Sequence, residues 1–278
     1  MGPIRYIFPA FVFAMWVICG IGIATGQWTG IHWLLLGVAH LGCAIIFVNF
    51  VQVFAYGYGL SMVLANGAVM AWQPAPAVLL IGGLGVLYGL RLTWFVYTRD
   101  RTQGYAATRA KGDRANAGVP LPLRLFMWVS CGWLMGFLAM PAWVASGAPG
   151  LTAGVLAGGA LMLAGLVLEA TADAQKQAEK TARPATFAST GLYARLRHPN
   201  YLGESIFQVG LVVAASAAAI AGGMGGWAIA AGIAGPLYIV ILMYYAANDQ
   251  DRQQSERYGQ DAAYQAWRQK SSSLLPGL

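Results

Sequence analysis

Charged residues are scarce in this chain of 278 residues: Asp, Glu, Lys and Arg make up 10% of it, against 58% hydrophobic residues. Soluble domains carry about 25% charged residues, so the chain has too little polar surface to coat a water-soluble globule. The mean hydropathy of +0.57 indicates that the lipid bilayer is the solvent. The length suits one membrane domain, residues 1–278.

Cysteine is also scarce, and familiar motifs are absent. Cys19, Cys43 and Cys131 lie far apart in apolar stretches without CxxC spacing, which argues against a disulfide framework or a zinc site. There is no Walker loop, no HExxH and no GxGxxG after a strand. His32 and His40 have no evident metal-ligand partner and are expected to be structural. We therefore expect no metal.

Long apolar runs take up most of the remaining sequence. A spanning helix needs about 20 mostly apolar residues, and seven stretches qualify. They are Ile4–Thr25, Ile31–Phe54, Ala77–Tyr97, Leu121–Ser146, Leu151–Ala172, Tyr201–Ala221 and Trp227–Ala247. The sequence predicts an all-α, multi-pass membrane protein of seven transmembrane helices.

The positive charges fall in alternate loops. They lie in 99–118, between the fifth and sixth stretches, and in the tail, whereas Tyr56–Pro76, Gly147–Gly150 and Gly222–Gly226 carry no Lys or Arg. The positive-inside rule then predicts an outer N-terminus and a cytoplasmic C-terminus. The expected location is a bacterial inner membrane. Because the +7 charge follows topology, we expect no nucleic-acid partner.

Two details oppose this orientation. Loop Gly26–Gly30 would be cytoplasmic yet has no positive charge, and Arg5 would lie outside. Two polar segments, Asp173–Asn200 and Asn248–Leu278, are too short to bury cores of their own. We expect them to fold against the cytoplasmic helix ends and to cap a cavity.

Ionisable residues within spans are costly and mark candidate functional sites. Arg91, Glu169 and Glu204 qualify. Together they predict a polar cavity open to the cytoplasm; the alternative is that each reaches the interface separately. Glu169, Asp173 and Lys176 also share one helix face, at spacings of four and three. That face suits ribose hydroxyls and phosphates, or is simply a solvated helix end.

The densest pattern runs from Gly191 to Glu204. Pro199 suits the first turn of a helix. The exposed N–H groups of that turn, with Arg195, Arg197 and His198 just before it, form a candidate anion site. A positive-inside anchor explains the same residues equally well. Gln52 and Tyr88 are uncharged donors at membrane depth that could polarise a carbonyl, although bonding between helices is the simpler explanation.

The stretch Arg197-His-Pro-Asn-Tyr-Leu-Gly-Glu204 resembles the C-terminal domain of membrane steroid 5α-reductases and their bacterial relatives. Sterol reductases and isoprenylcysteine carboxyl methyltransferases share this core. The resemblance covers about Tyr88 to the C-terminus. The element Asn200–Glu204, the basic stretch after Asp173 and the closing Leu-Leu-Pro-Gly resemble the reductases more closely.

The resemblance implies a seven-helix fold that holds NADPH in a cytoplasmic cavity, with 1–120 mainly on the substrate side and 121–278 binding the cofactor. Tyr88 would hold a steroid 3-oxo group and Arg91 would lie near the nicotinamide. Gln52 stands where animal members have a Glu, a departure that weakens the pair as a proton source. With the residues singled out above, the expected cofactor-binding set is Arg91, Glu169, Asp173, Lys176, Arg195, Arg197, His198, Asn200, Tyr201, Glu204, Asp251 and Arg252.

The leading hypothesis is therefore an NADPH-dependent reductase of the C4–C5 double bond in 3-oxo-4-ene steroids or similar lipid enones. The substrate would enter from the bilayer between the first four spans. A methyltransferase that uses S-adenosylmethionine is the first alternative, although Asp251-Arg252 stands where those enzymes have Glu-Glu. A non-enzymatic lipid carrier is the second. A monomer is compatible with the sequence, which does not fix the oligomeric state.

Overall fold

A computed structural model describes residues 4–275, without the side chains of residues 4, 5, 103 and 107. It is 83% helical and has no strands in that range. The α-helices in the described range are α1 (Ile4–Ala24), α2 (Gly30–Cys43), α3 (Tyr56–Trp72), α4 (Pro76–Asp100), α5 (Ala106–Ala117), α6 (Leu121–Ala145), α7 (Ala153–Ala182), α8 (Pro199–Ala221), α9 (Gly225–Tyr258) and α10 (Ala262–Lys270).

Seven of the described helices are long and apolar enough to cross a membrane: α1, α2 with the turn after it, α4, α6, α7, α8 and α9. The predicted all-α membrane fold is confirmed. Two spans extend well beyond their predicted ends, α7 to Ala182 and α9 to Tyr258. The last turns of both helices are polar but remain helical.

The second predicted span is too long. Helix α2 ends at Cys43 and is followed by two 3₁₀ segments, Ala44–Phe47 and Phe50–Phe54. The break comes at Asn49, whose backbone is extended and whose side chain accepts a hydrogen bond from Val51 N at 3.1 Å. Asparagine competes in this way with helical hydrogen bonds.

Helix α3 corrects the expectation that Tyr56–Pro76 is a loop. It packs antiparallel between α2 and α4, with the Ser61 hydroxyl donating to Ala39 O at 3.0 Å. A Cβ on Gly89 would lie 2.5 Å from Gly59 O, so only glycine allows this approach. The Asn66 amide is satisfied within α3 by Met62 O at 2.9 Å. Tertiary packing stabilises a helix that hydropathy does not reveal.

The extra helix also changes the chain direction inferred for α1. The Phe8 ring contacts Tyr238, and Trp227 Nε1 donates to Ile18 O at 2.7 Å, so α1 runs antiparallel to α9. Helix α1 therefore begins at the end of the bundle where α9 ends. The predicted orientation of the termini does not include this traverse of the bundle by α3, and the side of a membrane that each terminus faces stays a prediction.

We call the end where α4, α7 and α9 finish the basic end, because the three basic segments of the sequence lie there. Loop Gly26–Gly30 lies at the opposite end, which accounts for its lack of positive charge. The first turn of α1, with Arg5, lies at the basic end. Both details that opposed the predicted topology are thus consistent with the observed one.

Among the described helices, α7 and α8 form the most extensive contact, along a seam of small residues. A Cβ on Gly210 would lie 2.6 Å from Met162 N and 2.7 Å from Gly158 O. A Cβ on Gly203 would lie 2.6 Å from Glu169 N. Small residues bring membrane helices together in this way, and here they bring Glu169 of α7 close to the first turns of α8.

Candidate functional site

A cavity of about 640 Å³ lies at the basic end. Its walls come from the last turns of α4, α7 and α9, the start of α8 and the segment between α7 and α8, as expected for Asp173–Asn200 and Asn248–Leu278. We call it the basic cavity, because five cationic side chains and one carboxylate line it. These are Arg99, Lys176, Lys180, Arg197 and Arg257, with Asp173.

Aromatic and amide side chains complete the lining of the basic cavity. The aromatic ones are Phe95, Tyr105, Phe187, Tyr193, Tyr201 and Tyr258; the amides are Gln177, Asn200, Gln250, Gln253 and Gln254. The Tyr193 hydroxyl donates to Asn200 Oδ1 at 3.4 Å. Burial raises the pKa of the Tyr193 phenol, so this hydroxyl stays a neutral donor. Cations, amides and aromatic faces together suit a ligand with phosphates and flat rings.

Arg91 joins α4 to α7 beside the basic cavity, where its partner Asp173 belongs to the lining. Its Nη1 donates to Asp173 Oδ2 at 2.6 Å, and its Nη2 forms an ion pair with Glu169 Oε1. Glu169 and Asp173 are each only 5% exposed. The sequence grouped Arg91 with Glu169 and Glu204; in the structure Arg91 contacts Glu169 and also Asp173, whereas Glu204 lies beside two tyrosines.

Those tyrosines are Tyr58 of α3 and Tyr88 of α4, whose ring centroids lie 5.7 Å apart. Both hydroxyls neighbour the Glu204 carboxyl, and Gln208 Nε2 donates to Tyr58 Oη at 2.7 Å. Tyr88 is 0% exposed. Within residues 4–275, neither Tyr88 Oη nor Glu204 Oε1 has a hydrogen-bond partner. Polar atoms left so in a packed interior are typical of ligand sites.

We call these seven residues the polar core cluster: Tyr58, Tyr88, Arg91, Glu169, Asp173, Glu204 and Gln208. Asp173 belongs both to this cluster and to the lining of the basic cavity. The Tyr88 ring stacks on Phe207 at 4.4 Å and the Arg91 guanidinium lies 5.6 Å from the Tyr88 ring centroid. The cluster therefore continues the basic cavity into the bundle.

Asp251 has a different position from the one the resemblance implied. Its carboxylate accepts from Arg197 Nε at 2.9 Å and Nη2 at 3.0 Å and from Ser273 Oγ at 2.7 Å, and His198 Nε2 lies 2.8 Å away. These four contacts use the acceptor capacity of a carboxylate. Asp251 and His198 therefore hold the start of α8, α9 and the tail together, and Arg197 alone of the three reaches the basic cavity.

The tail is joined to the same place by backbone. Arg197 N donates to Ser272 O at 2.9 Å and Ser272 N to Arg195 O at 3.0 Å. Trp267 Nε1 donates to Tyr193 O at 2.7 Å. The closing Leu-Leu-Pro-Gly continues past the described residues at Pro276.

Three predicted site residues lie elsewhere. Gln52 is half-buried in the 3₁₀ segment Phe50–Phe54, and none of the hydrogen bonds described in residues 4–275 joins it to Tyr88. Arg195 is exposed. Arg252 is exposed and forms an ion pair with Asp249. Neither arginine is among the residues that line the basic cavity.

Sequence reasoning missed Tyr58 and Gln208 in the cluster, and Arg99 and Arg257 in the cavity. Tyr58 lies in α3, a helix that hydropathy does not reveal, so its sequence context predicts a loop. Gln208 offers a usable signal: it lies one helical turn after Glu204, on the same face of α8.

A second cavity, of about 660 Å³, lies on the other side of the contact between α4 and α7. Ala170, Ala174, Ala178 and Trp94 give it mainly apolar walls, and Arg91 and Asp173 also line it. The Trp94 side chain is exposed. The two cavities therefore meet at Asp173, one polar and one apolar.

No curated protein matches the chain. The sequence profile of the family described as "Protein of unknown function (DUF1295)" matches residues 49–271, which include every helix of the polar core cluster and of the basic cavity. The chain belongs to this family, which is related to the steroid 5α-reductases.

Proposed function

We propose that this protein is an NADPH-dependent reductase of the carbon–carbon double bond in lipid enones, of which 3-oxo-4-ene steroids are the leading class. The observation that carries the proposal is the buried Tyr88 hydroxyl, which lacks a hydrogen-bond partner among the described residues and adjoins the basic cavity through Arg91 and Asp173. The family's relation to steroid 5α-reductases supports it.

The basic cavity fits a dinucleotide. Its volume of about 640 Å³ lies within the usual range of ligand pockets, about 300–1,000 Å³. Five cations against one carboxylate attract a ligand with several phosphate charges. Arg99, Lys176, Lys180 and Arg257 are candidates to hold these phosphates, and the aromatic lining offers faces for adenine and nicotinamide.

NADPH, when bound, supplies the hydride that adds to the β-carbon of the enone; a proton from water then completes the saturated ketone at the α-carbon. As the hydride adds, negative charge develops on the carbonyl oxygen. Tyr88, which is 0% exposed, would donate a hydrogen bond to that oxygen away from bulk solvent, where such bonds count most. Arg91, fixed by Glu169 and Asp173, lies between the Tyr88 ring and the cavity residue Asp173.

The substrate is a membrane lipid on this proposal. The apolar cavity between α4 and α7 leads from the exposed Trp94 to the polar core cluster. It is a more direct entry than a route between the first four predicted spans. A lipid enone would then approach Arg91 from the bilayer side and the cofactor from the basic end.

A methyltransferase is the main competing function. S-adenosylmethionine carries a sulfonium and an ammonium against a single carboxylate, so a cavity with five cations opposes it. The Arg197-His198 pair, which methyltransferases and reductases share, is held by Asp251 in a structural contact here. That pair therefore does not favour the methyltransferase.

The test is thermal stabilisation of the detergent-purified protein by NADPH, NADH and S-adenosylmethionine, since a ligand that binds only the folded state raises its stability. We expect the largest rise in melting temperature with NADPH. Arg257→Gln, in the basic cavity, should lower the affinity for NADPH obtained from this stabilisation about tenfold, as expected for the loss of one charged contact. Arg114→Gln removes the same charge from exposed α5 and should leave it unchanged.

Each other outcome has a meaning. Stabilisation by S-adenosylmethionine alone would establish the methyltransferase and overturn the reductase. No stabilisation by any of the three would favour a non-enzymatic lipid carrier. With NADPH binding established, oxidation of NADPH on addition of a 3-oxo-4-ene steroid, but not of its saturated 3-oxo counterpart, tests the reaction.

A further inference from the structure

Tyr58 is the least expected member of the polar core cluster. It lies in the first turn of α3 and is 6% exposed. Its ring centroid lies 5.7 Å from that of Tyr88, so two phenols from different helices are buried side by side. Burying a second hydroxyl at this depth is costly unless it is hydrogen-bonded.

Gln208 settles how the Tyr58 hydroxyl is used. Its Nε2 donates to Tyr58 Oη at 2.7 Å, and an amide nitrogen can only donate. The Tyr58 oxygen is therefore the acceptor in this bond, and its own proton remains free to point elsewhere. The other polar neighbours of Tyr58 are Glu204, Tyr88 and Glu169, so the acceptors within reach of that proton belong to the polar core cluster.

Tyr88 is held in place without using its hydroxyl. Its ring stacks on Phe207 at 4.4 Å, the residue that precedes Gln208 in α8. Within the described residues its hydroxyl has no partner. Two oriented O–H groups thus converge from α3 and α4, each positioned by a neighbouring residue of α8.

We propose that Tyr58 is a second hydrogen-bond donor of the site and that Gln208 is the residue that positions it. A ketone oxygen has two lone pairs and accepts two such bonds, so Tyr58 and Tyr88 together select a lipid that carries a carbonyl. Tyr58 then takes the role that the resemblance suggested for Gln52. The inference rests on the proposed reductase function and specifies its substrate by that oxygen.

The experiment separates recognition of the oxygen from recognition of the lipid. Two probes are used with the NADPH-bound protein: a saturated 3-oxo steroid, and the same steroid without the 3-oxo oxygen. Thermal stabilisation gives the affinity for each. In Tyr58→Phe, we expect the affinity for the ketone to fall about tenfold, the upper range for one neutral hydrogen bond, while that for the deoxygenated steroid and for NADPH stays unchanged.

Turnover gives a second measurement. Loss of one donor to a developing oxyanion lowers kcat by about 10²–10³, so Tyr58→Phe should lower kcat more than it raises KM. Gln208→Leu keeps both phenols but frees Tyr58, and should lower kcat by less than Tyr58→Phe does. Should Tyr58→Phe fail to fold, Gln208→Leu carries the test alone, because a purely structural Gln208 would change both steroid affinities equally.

Two results overturn the inference. A Tyr58→Phe variant that binds the ketone and turns over enone as the wild type does would exclude Tyr58 from the site. An equal loss of affinity for both steroids would show that Tyr58 acts only through packing. A wild type that binds NADPH but no 3-oxo steroid removes this inference and the substrate class with it. A wild type that binds no NADPH contradicts the proposed function first.

Discussion

Substitution of Tyr88 by Phe removes one oxygen atom and should move stability and activity in opposite directions. The side chain is 0% exposed, and no hydrogen bond to its hydroxyl is described in residues 4–275. A buried polar group without a partner costs about 1–3 kcal/mol of desolvation. The ring remains stacked on Phe207 at 4.4 Å, so Phe keeps the packing and removes that cost.

We therefore expect Tyr88→Phe to be more stable than the wild type by about 1 kcal/mol. For domains of about 150–250 residues that is a rise of about 2–4 °C in melting temperature, and we expect a rise of this order here. Activity should fall, since removing one donor to a developing oxyanion costs about 10²–10³ in kcat, or about 2.7–4 kcal/mol. Stabilisation by NADPH should not change, because the hydroxyl lies in the cluster and not among the cavity residues.

The measurements are a thermal melt in detergent, with and without NADPH, and NADPH oxidation with a 3-oxo-4-ene steroid. Tyr264→Phe is the matched control. Tyr264 is equally buried, at 1% exposure, but its hydroxyl lies 3.3 Å from Ser255 Oγ and outside the basic cavity. It should lose about 0.5–1.5 kcal/mol and keep its activity. A Tyr88→Phe variant with a lower melting temperature and full turnover would refute the reasoning, because the hydroxyl would then be structural.

Three further predictions concern the frame of the site, each measured by thermal melting. Gly210→Ala places a Cβ 2.6 Å from Met162 N and 2.7 Å from Gly158 O, and should lower stability by about 1–3 kcal/mol. The control Gly83→Ala meets no atom within 4 Å and should be neutral or stabilising. Equal stability of the two variants would show that the α7–α8 seam relaxes around the added methyl group. Asp251→Asn leaves Arg197 without its buried carboxylate and should cost about 3–5 kcal/mol, whereas the exposed Asp249→Asn should change stability by less than about 1 kcal/mol; equal effects would show that the Asp251 contacts do not stabilise. The Glu179 carboxylate accepts from Ser189 N at 3.1 Å and Thr190 N at 3.2 Å. Glu179→Gln weakens this acceptor and should lower stability by about 1–3 kcal/mol. An unchanged melting temperature would show that the segment between α7 and α8 does not depend on these bonds.

Much of the fold followed from the sequence because hydropathy reads lipid-facing helices directly. Helices α6 and α8 begin within two residues of their predicted starts. Helix α3 did not follow, for a physical reason. Its glycines and its Asn66 lower hydropathy, yet they permit the close approach to α4 and the internal hydrogen bond that stabilise it. A helix stabilised by packing between neighbours carries a weak signal in its own sequence.

The contacts of the candidate site were likewise only partly predictable from the sequence. The pairing of Glu169 and Asp173 on one face of α7 was predictable, because helical spacing fixes it once the helix continues. The partner of Asp251 was not, since Arg197 lies 54 residues before it and only the fold brings them together. Tyr58 was not predictable without α3, and Gln52 was predicted as an uncharged donor at membrane depth that stands where animal members have a Glu.

The distribution of unsatisfied polar atoms argues that these residues form one site. Eleven buried side-chain nitrogen and oxygen atoms in the described chain lack a hydrogen-bond partner. One of these atoms, Arg91 Nη2, is ion-paired with Glu169. Seven of the other ten belong to the polar core cluster or to the lining of the basic cavity: Tyr88 Oη, Arg91 Nε, Arg99 Nε, Glu169 Oε2, Glu204 Oε1, Gln208 Oε1 and Gln254 Oε1. Native interiors pair nearly all such atoms, and departures from that rule concentrate where a protein meets a ligand. A merely structural polar cluster would instead have been selected for complete pairing, as the four contacts on Asp251 show. The incomplete pairing around Tyr88 is therefore the feature that most clearly separates a binding site from a packing motif in this bundle.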